Sequence, residues 1–382
     1  MLNAQLPKLL FLTDWFAPGY KAGGPIRSTV NVVVHLQAFF QIYVLTTDRD
    51  LQAIDAYPGI ETDQWILYQE HTQVCYLSPE QLQYATIKEK IEEVMPDIIY
   101  LNSMFSKVFT IFPLWWARAE AYRGKMVLAP RGMLRPSALQ FKSLKKKLFL
   151  KLLYWSGFPK RICFQATDDH ERKDIQRHFG LDTNIRVLGN LPAQVPDYQL
   201  RTKQKTRLLF IGRIHPIKGL KLVLDCLKQV RSDIHLSIVG PLEDQDYWKN
   251  CQEVIDQLGG HIKVDALGAI PHHQLQPIFA DHHFFILPTQ GENFGHAIFE
   301  AFSAGLPVII SDQTPWRNLK DQKIGWDISL DQPEAFVNAI ETAAAMDQET
   351  YDLWSKSAWE YARLYVEGSD LLERYRELFR VD

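Results

Sequence analysis

Two carboxylates, Glu292 and Glu300, stand eight positions apart in PTQGENFGHAIFEAFSAGLPVIISD (288–312), a glycine-rich turn between an apolar run and a helical pattern. Backbone N–H groups from Asn293 to His296 would cap a helix whose N-terminus suits an anion. Carboxylates beside such a site accept hydrogen bonds from sugar hydroxyls, one from a hexose and one from a ribose. Charge assistance makes those bonds roughly twice as strong as neutral ones. The plainer reading is two glutamates on an exposed helix face. The small, apolar surroundings of Glu300 in FEAFSAG argue against it, because a buried carboxylate needs a partner.

A second cluster lies upstream. FIGRIHPIKGL (210–220) places Arg213 directly after an apolar strand and Lys218 at the start of the next helical pattern. A diphosphate at that turn would meet two cations and the positive end of a helix dipole, which together could stabilise a departing nucleoside diphosphate. A solvated Arg and Lys on a loop fit the same G-R-x4-K-G spacing. Gly23 and Gly24 follow the first apolar strand in TDWFAPGYKAGGPIRS, where glycines most often serve as turn residues. Asn102 closes one strand pattern, and Arg131-Gly132 in VLAPRGML stand just beyond another, where ligand-contacting residues of α/β sheets gather.

These residues need strands that end, and helices that begin, in the right places. From Lys8 onward short apolar runs alternate with longer helical patterns, the signature of parallel sheets built from βαβ units. Strands are predicted at 8–12, 42–47, 73–77, 97–102, 125–129, 162–166 and 185–188. The polar, proline-containing segment 191–206 reads as a linker. Alternation restarts at 207–212, 234–239, 262–267, 283–288 and 308–311. At 382 residues the chain suits two α/β domains, residues 1–190 and 207–364, each a doubly wound Rossmann-like layer, facing a central cleft. From about Glu349 to Arg380 the pattern is helical throughout, with Trp354, Trp359, Tyr361, Tyr365, Tyr375 and Phe379 on packing faces, and reads as a core-facing terminal helix pair rather than a cofactor site.

The G-R-x4-K-G turn, the E-N-F-G turn and the E-x7-E spacing, in that order, resemble the donor site of glycosyltransferase family four, whose members are retaining enzymes of the GT-B fold. The resemblance implies that Arg213 and Lys218 bind the donor diphosphate. It also implies that Glu292 with the Asn293, Phe294 and Gly295 backbone holds the donor sugar, and that Glu300 takes the ribose hydroxyls. Arg213, Lys218 and Glu292 are then the catalytic candidates, Gly23-Gly24 the loop near donor phosphate and acceptor, and Asn102, Arg131 and Gly132 the acceptor candidates. Many members have a His near Arg131, so the Arg is a departure. The P-R-G-M form resembles members that assemble bacterial surface polysaccharides. The co-substrate implied is a nucleotide-sugar, with no cofactor and no metal, and the helix at about 365–382 is expected to return to the N-terminal domain. A nucleotide-sugar epimerase of the same fold and a catalytically silent sugar-binding subunit are the rival readings.

Composition narrows the partners. With a net charge of -3 the chain has no basic field for nucleic acid, and its 46% hydrophobic residues are enough for two cores. Four scattered cysteines, without C-x-x-C spacing, read as reduced. The apolar run before Asp14 is too short for a signal peptide, so a cytoplasmic location is expected. His272-His273 and His282-His283 lack a metal-ligand spacing, and the triplets Asp48–Asp50 and Asp244–Asp246 read as accidental beside the donor signature. The run 141–161 interleaves lysines with Leu, Phe, Tyr and Trp. It fits either a basic amphipathic helix lying on anionic lipid, with a lipid-linked acceptor, or a solvated basic face packed on the core.

Overall fold

A computed structural model describes residues 6–135, 138–139 and 143–381. The chain divides into two compact units, Met1–Leu191 with Asp370–Asp382, and Pro192–Ser369. The first unit contains β1 (Lys8–Leu12), β2 (Gln41–Thr47), β3 (Trp65–Gln69), β4 (Thr72–Leu77), β5 (Ile98–Leu101), β6 (Lys125–Leu128), β7 (Cys163–Ala166) and β8 (Ile185–Val187). Between them run α1 (Gly24–Leu36), α2 (Tyr84–Val94), α3 (Phe112–Ala119), α4 (Ser143–Trp155) and α5 (Asp169–Phe179). The sheet order is β3-β4-β2-β1-β5-β6-β7-β8. Alternate residues of β1 feed opposite cores, Leu10 and Leu12 on one face and Leu9 and Phe11 on the other. That double burial is why the strand reads as a continuous apolar run.

The second unit holds β9 (Thr206–Ile211), α6 (Leu220–Leu227), β10 (Ile234–Val239), α7 (Gln245–Ile255), β11 (Ile262–Gly268), α8 (Leu275–Ala280), β12 (Phe284–Leu287), α9 (His296–Ser303), β13 (Val308–Ser311), β14 (Gly325–Ile328), α10 (Pro333–Ala345) and α11 (Gln348–Glu367). Its sheet is parallel, in the order β11-β10-β9-β12-β13-β14. The chain then supplies α12 (Leu371–Leu378) to the first unit, where Leu371, Tyr375, Leu378 and Phe379 join the core that holds Leu9 and Phe11.

Two sequence expectations need correction. The first sheet is not wholly parallel, because β3 pairs antiparallel with β4 as a hairpin. The four-residue β14 was not predicted at all. The helical stretch from Glu349 to Arg380, read as a terminal helix pair, is two helices, interrupted at Gly368–Asp370, with Gly368 as the C-cap of α11. Residues 192–205 form no helix or strand and belong to the second unit.

Candidate active site

In the second unit the strand order reverses direction between β9 and β12, which are hydrogen-bonded neighbours. Ligands of open α/β sheets bind outside the carboxyl ends of the strands at such a switch point. The loop after β9 and the loop after β12 meet there. Gln290 N donates to Ile217 O at 2.8 Å, and Thr289 Oγ1 donates to the same carbonyl at 3.1 Å. Gly219 has φ +75°, and a Cβ at that position would stand 2.1 Å from Pro288 O, so only glycine lets the two backbones pack.

Joined in this way, the loops bring Lys218 to Glu292. Lys218 Nζ donates to Glu292 Oε1 at 2.5 Å, and each side chain is 16% exposed. Glu292 N donates to Gln313 O at 3.1 Å, which fixes the backbone under the carboxylate. Asn293 is exposed, whereas Phe294 is buried against Trp316 and Phe299, and its carbonyl accepts from Trp316 Nε1 at 2.7 Å. Gly295, which has no side chain to offer as a cap, is the N-cap of α9. Glu300, on α9, lies 3.0 Å from His272 Nε2 through its Oε1.

Arg213 pairs with a different carboxylate. Its Nη1 donates to both carboxylate oxygens of Glu243, at 2.8 and 2.6 Å, with both side chains about two-fifths exposed. Glu243 was not singled out in the sequence, and His272 was considered there only as part of a histidine pair without metal-ligand spacing. Each follows a neighbouring strand, β10 and β11, so the parallel sheet brings all these groups to one edge.

The first unit has its own switch point, between β1 and β5. Asn102, just past β5, donates from Nδ2 to Thr29 Oγ1 at 2.6 Å. Arg131 has φ +55°, and its guanidinium is shared among Asn102 Oδ1 at 2.7 Å, Asn190 Oδ1 at 2.6 Å and the Tyr100 hydroxyl at 2.7 Å. Gly132 N donates to Glu171 Oε1 at 2.5 Å. Three strand ends are thus tied by one cation. Asp14, past β1, was not singled out in the sequence. Burial pushes its carboxyl above the usual range, against the hydrogen bond it accepts from Ser106 Oγ at 2.7 Å. Gly23, at φ +66°, precedes α1, and Gly24 is its first residue. The loop before them is pinned by Asp50, whose Oδ2 accepts from Tyr20 N at 2.7 Å and Lys21 N at 3.0 Å.

Residues 194–360 match the family described as glycosyl transferases group 1. Sucrose-phosphate synthase from Thermosynechococcus elongatus is similar in fold, with TM-score 0.70, 17% identity and 98% of each chain covered. So is Anabaena HepE, solved with UDP and glucose, with TM-score 0.70, 17% identity, and 97% of this chain and 98% of that one covered. The fold is that of the GT-B glycosyltransferases. Among curated relatives, the phosphatidyl-myo-inositol mannosyltransferase of Mycobacterium tuberculosis is 30% identical over 144 residues, 36% of each chain. An uncharacterised glycosyltransferase of Methanocaldococcus jannaschii is 29% identical over 106 residues, 27% of this chain and 26% of that one. The match spans at most about half the length of the curated relatives, from 26% to 51%.

Within this GT-B chain both Asp-x-Asp triplets have local structural work. Asp50 holds the loop before Gly23, Asp48 pairs with Arg49 at 2.8 Å, and Asp244 caps α7 by accepting from Tyr247 N at 2.9 Å. His282 and His283 are buried. Among the described residues, no three His, Cys, Asp or Glu side chains converge as metal ligands. All four cysteines are buried and free.

Proposed function

We propose that the chain is a metal-independent, retaining glycosyltransferase that moves a hexose from a nucleoside-diphosphate sugar to a hydroxyl of a glycan or lipid-linked acceptor, in the assembly of surface polysaccharide. The observation that carries this reading is the Lys218–Glu292 pair at the β9/β12 switch point. Lys218, with Arg213 released from Glu243, takes the diphosphate. Glu292 and the Asn293–Gly295 backbone take the hexose, and Glu300 takes the ribose. In front-face displacement the C1–O bond to the diphosphate breaks and its electron pair leaves with the phosphate. The acceptor oxygen bonds C1 on the same face, and its proton passes to the departing phosphate oxygen. Stabilising that leaving charge is the main catalytic contribution. The UDP bound by HepE makes uridine nucleotides the first donors to test. A phosphatidylinositol-directed relative favours a lipid-linked acceptor.

The test is consumption of a panel of UDP-, GDP- and ADP-sugars, with and without EDTA, by the wild type, Glu292→Ala and Lys218→Ala. The expected result is EDTA-resistant consumption of one donor, abolished in Glu292→Ala and lowered on the order of 100-fold in Lys218→Ala. Near wild-type turnover by Lys218→Ala defeats the catalytic assignment. Sugar inversion without any acceptor points to an epimerase, and failure to bind or turn over every donor points to a silent subunit.

A further inference from the structure

The α4 helix is apolar on two opposite sides. Leu150 and Leu153 are buried in the first unit's core, with Phe149 packed beside them. Leu144, Leu148, Leu152 and Trp155 fall together within about 80° on the other side of the helix, at 100° per residue. They are 82%, 59%, 55% and 74% exposed. Lys145 and Lys151 border this outer stripe, Lys147 stands one step beyond Lys151, and all three are exposed. Trp115, 59% exposed, lies one turn before Arg118 on α3, and Arg118 reaches Ser156 O at 3.2 Å just past the end of α4. Exposed Lys160 and Arg161 follow. Phe141 and Lys142, where the basic run begins, lie outside the described residues.

A helix needs one apolar stripe to dock on its own core. A second stripe of large side chains facing water marks an interaction surface. The flanking charges decide what covers it. Lysine is depleted from the dry centre of protein interfaces, and a second copy would bring like charges together. An anionic bilayer instead offers negative headgroups directly above an apolar interior. Lysine stems extend along apolar surface with their ammonium groups at that boundary, and Trp prefers the same depth.

We infer that the outer stripe of α4 seats the chain on an anionic lipid surface, with Leu144, Leu148, Leu152 and Trp155 at the acyl boundary and Lys145, Lys147 and Lys151 at the headgroup phosphates. The inference holds whether or not the transferase reading does, because binding is measured without donor or acceptor. Flotation of the full chain would use phosphatidylcholine vesicles and mixed phosphatidylcholine–phosphatidylglycerol vesicles. The expected result is capture by the mixed vesicles, weakened by salt, and little capture by phosphatidylcholine alone. Lys147→Glu and Lys151→Glu should each weaken it at least roughly fivefold. The double variant Leu148→Gln/Leu152→Gln, both positions exposed, should abolish it while Tm stays unchanged. Failure of the wild type to float with anionic vesicles, or equal flotation of these variants, overturns the inference. A dimer in solution that Leu148→Gln disperses also overturns it and assigns the stripe to a second copy.

Discussion

Lys218 and Glu292 are 74 positions apart, and nothing local brings them together. Their contact exists because β9 and β12 are sheet neighbours and their following loops share the Ile217 carbonyl. His282 shows the opposite use of a polar group. It is 2% exposed, with Nδ1 2.6 Å from Ile278 O and Nε2 without a partner among the described residues. Burial holds its pKa down to about 4. An unfolded histidine takes its proton near pH 6.5, so as pH falls the unfolded chain gains it first. His282 alone should therefore cost the second unit on the order of 3 kcal/mol of stability as pH falls from about 6.5 to about 4, with nothing further from this group below that. In His282→Gln the fall in Tm between about pH 7 and pH 4.5 should shrink. The histidine pair was visible in sequence, but its burial was not. In the same way Arg131 could be placed at a strand end, whereas its partners at 100, 102 and 190 depend on sheet order.

Among the elements, the buried parallel strands were legible because apolar side chains on both faces leave uninterrupted runs in the sequence. Predicted and observed bounds agree for β1, β10 and β13 and differ by a residue or so elsewhere. β3 escaped because Trp65–Gln69 is half exposed, with polar Gln69 at its end and no Asn-Gly or Asp-Gly turn before β4. The glycines after strands were visible too, though not which of them were indispensable. Gly219→Ala should lower stability by roughly 2–4 kcal/mol, because the new Cβ must push the β9 and β12 loops apart at a left-handed φ. Donor affinity should fall with it as Lys218 loses its position against Glu292. Denaturant titration and donor binding on the same protein check both effects. Gly23→Ala, where a Cβ meets nothing within 4 Å, should disturb only its own left-handed backbone.

For the whole molecule, the first unit is completed by α12, which follows the whole of the second unit in sequence. Tyr375 accepts from Gln165 Nε2 at 2.6 Å and donates to Gly189 O at 3.0 Å, while Gln165 Oε1 takes the Tyr100 hydroxyl at 2.7 Å. Phe379 meets Tyr100 and Phe11 edge-on, with ring centroids 5.4 and 6.2 Å apart. Removing residues 370–382 should therefore expose the β1–β5–β7 part of the sheet. Hydrogen exchange should report lost protection in those strands while β9–β13 stay protected. Equal protection in the first unit after truncation would show that α12 is dispensable to it.

That arrangement also sets a timetable at the ribosome. The residues from 192 to 369 must be synthesised between the two pieces of the first unit, which at ordinary elongation rates takes roughly 10–40 s. Throughout that interval Phe11, Phe40 and Tyr100 lack the aromatic cover that Phe379 later gives them. The first unit's sheet is thus translated well before the helix that covers it, and in that interval it carries an uncovered apolar face of the kind that exposes nascent chains to aggregation.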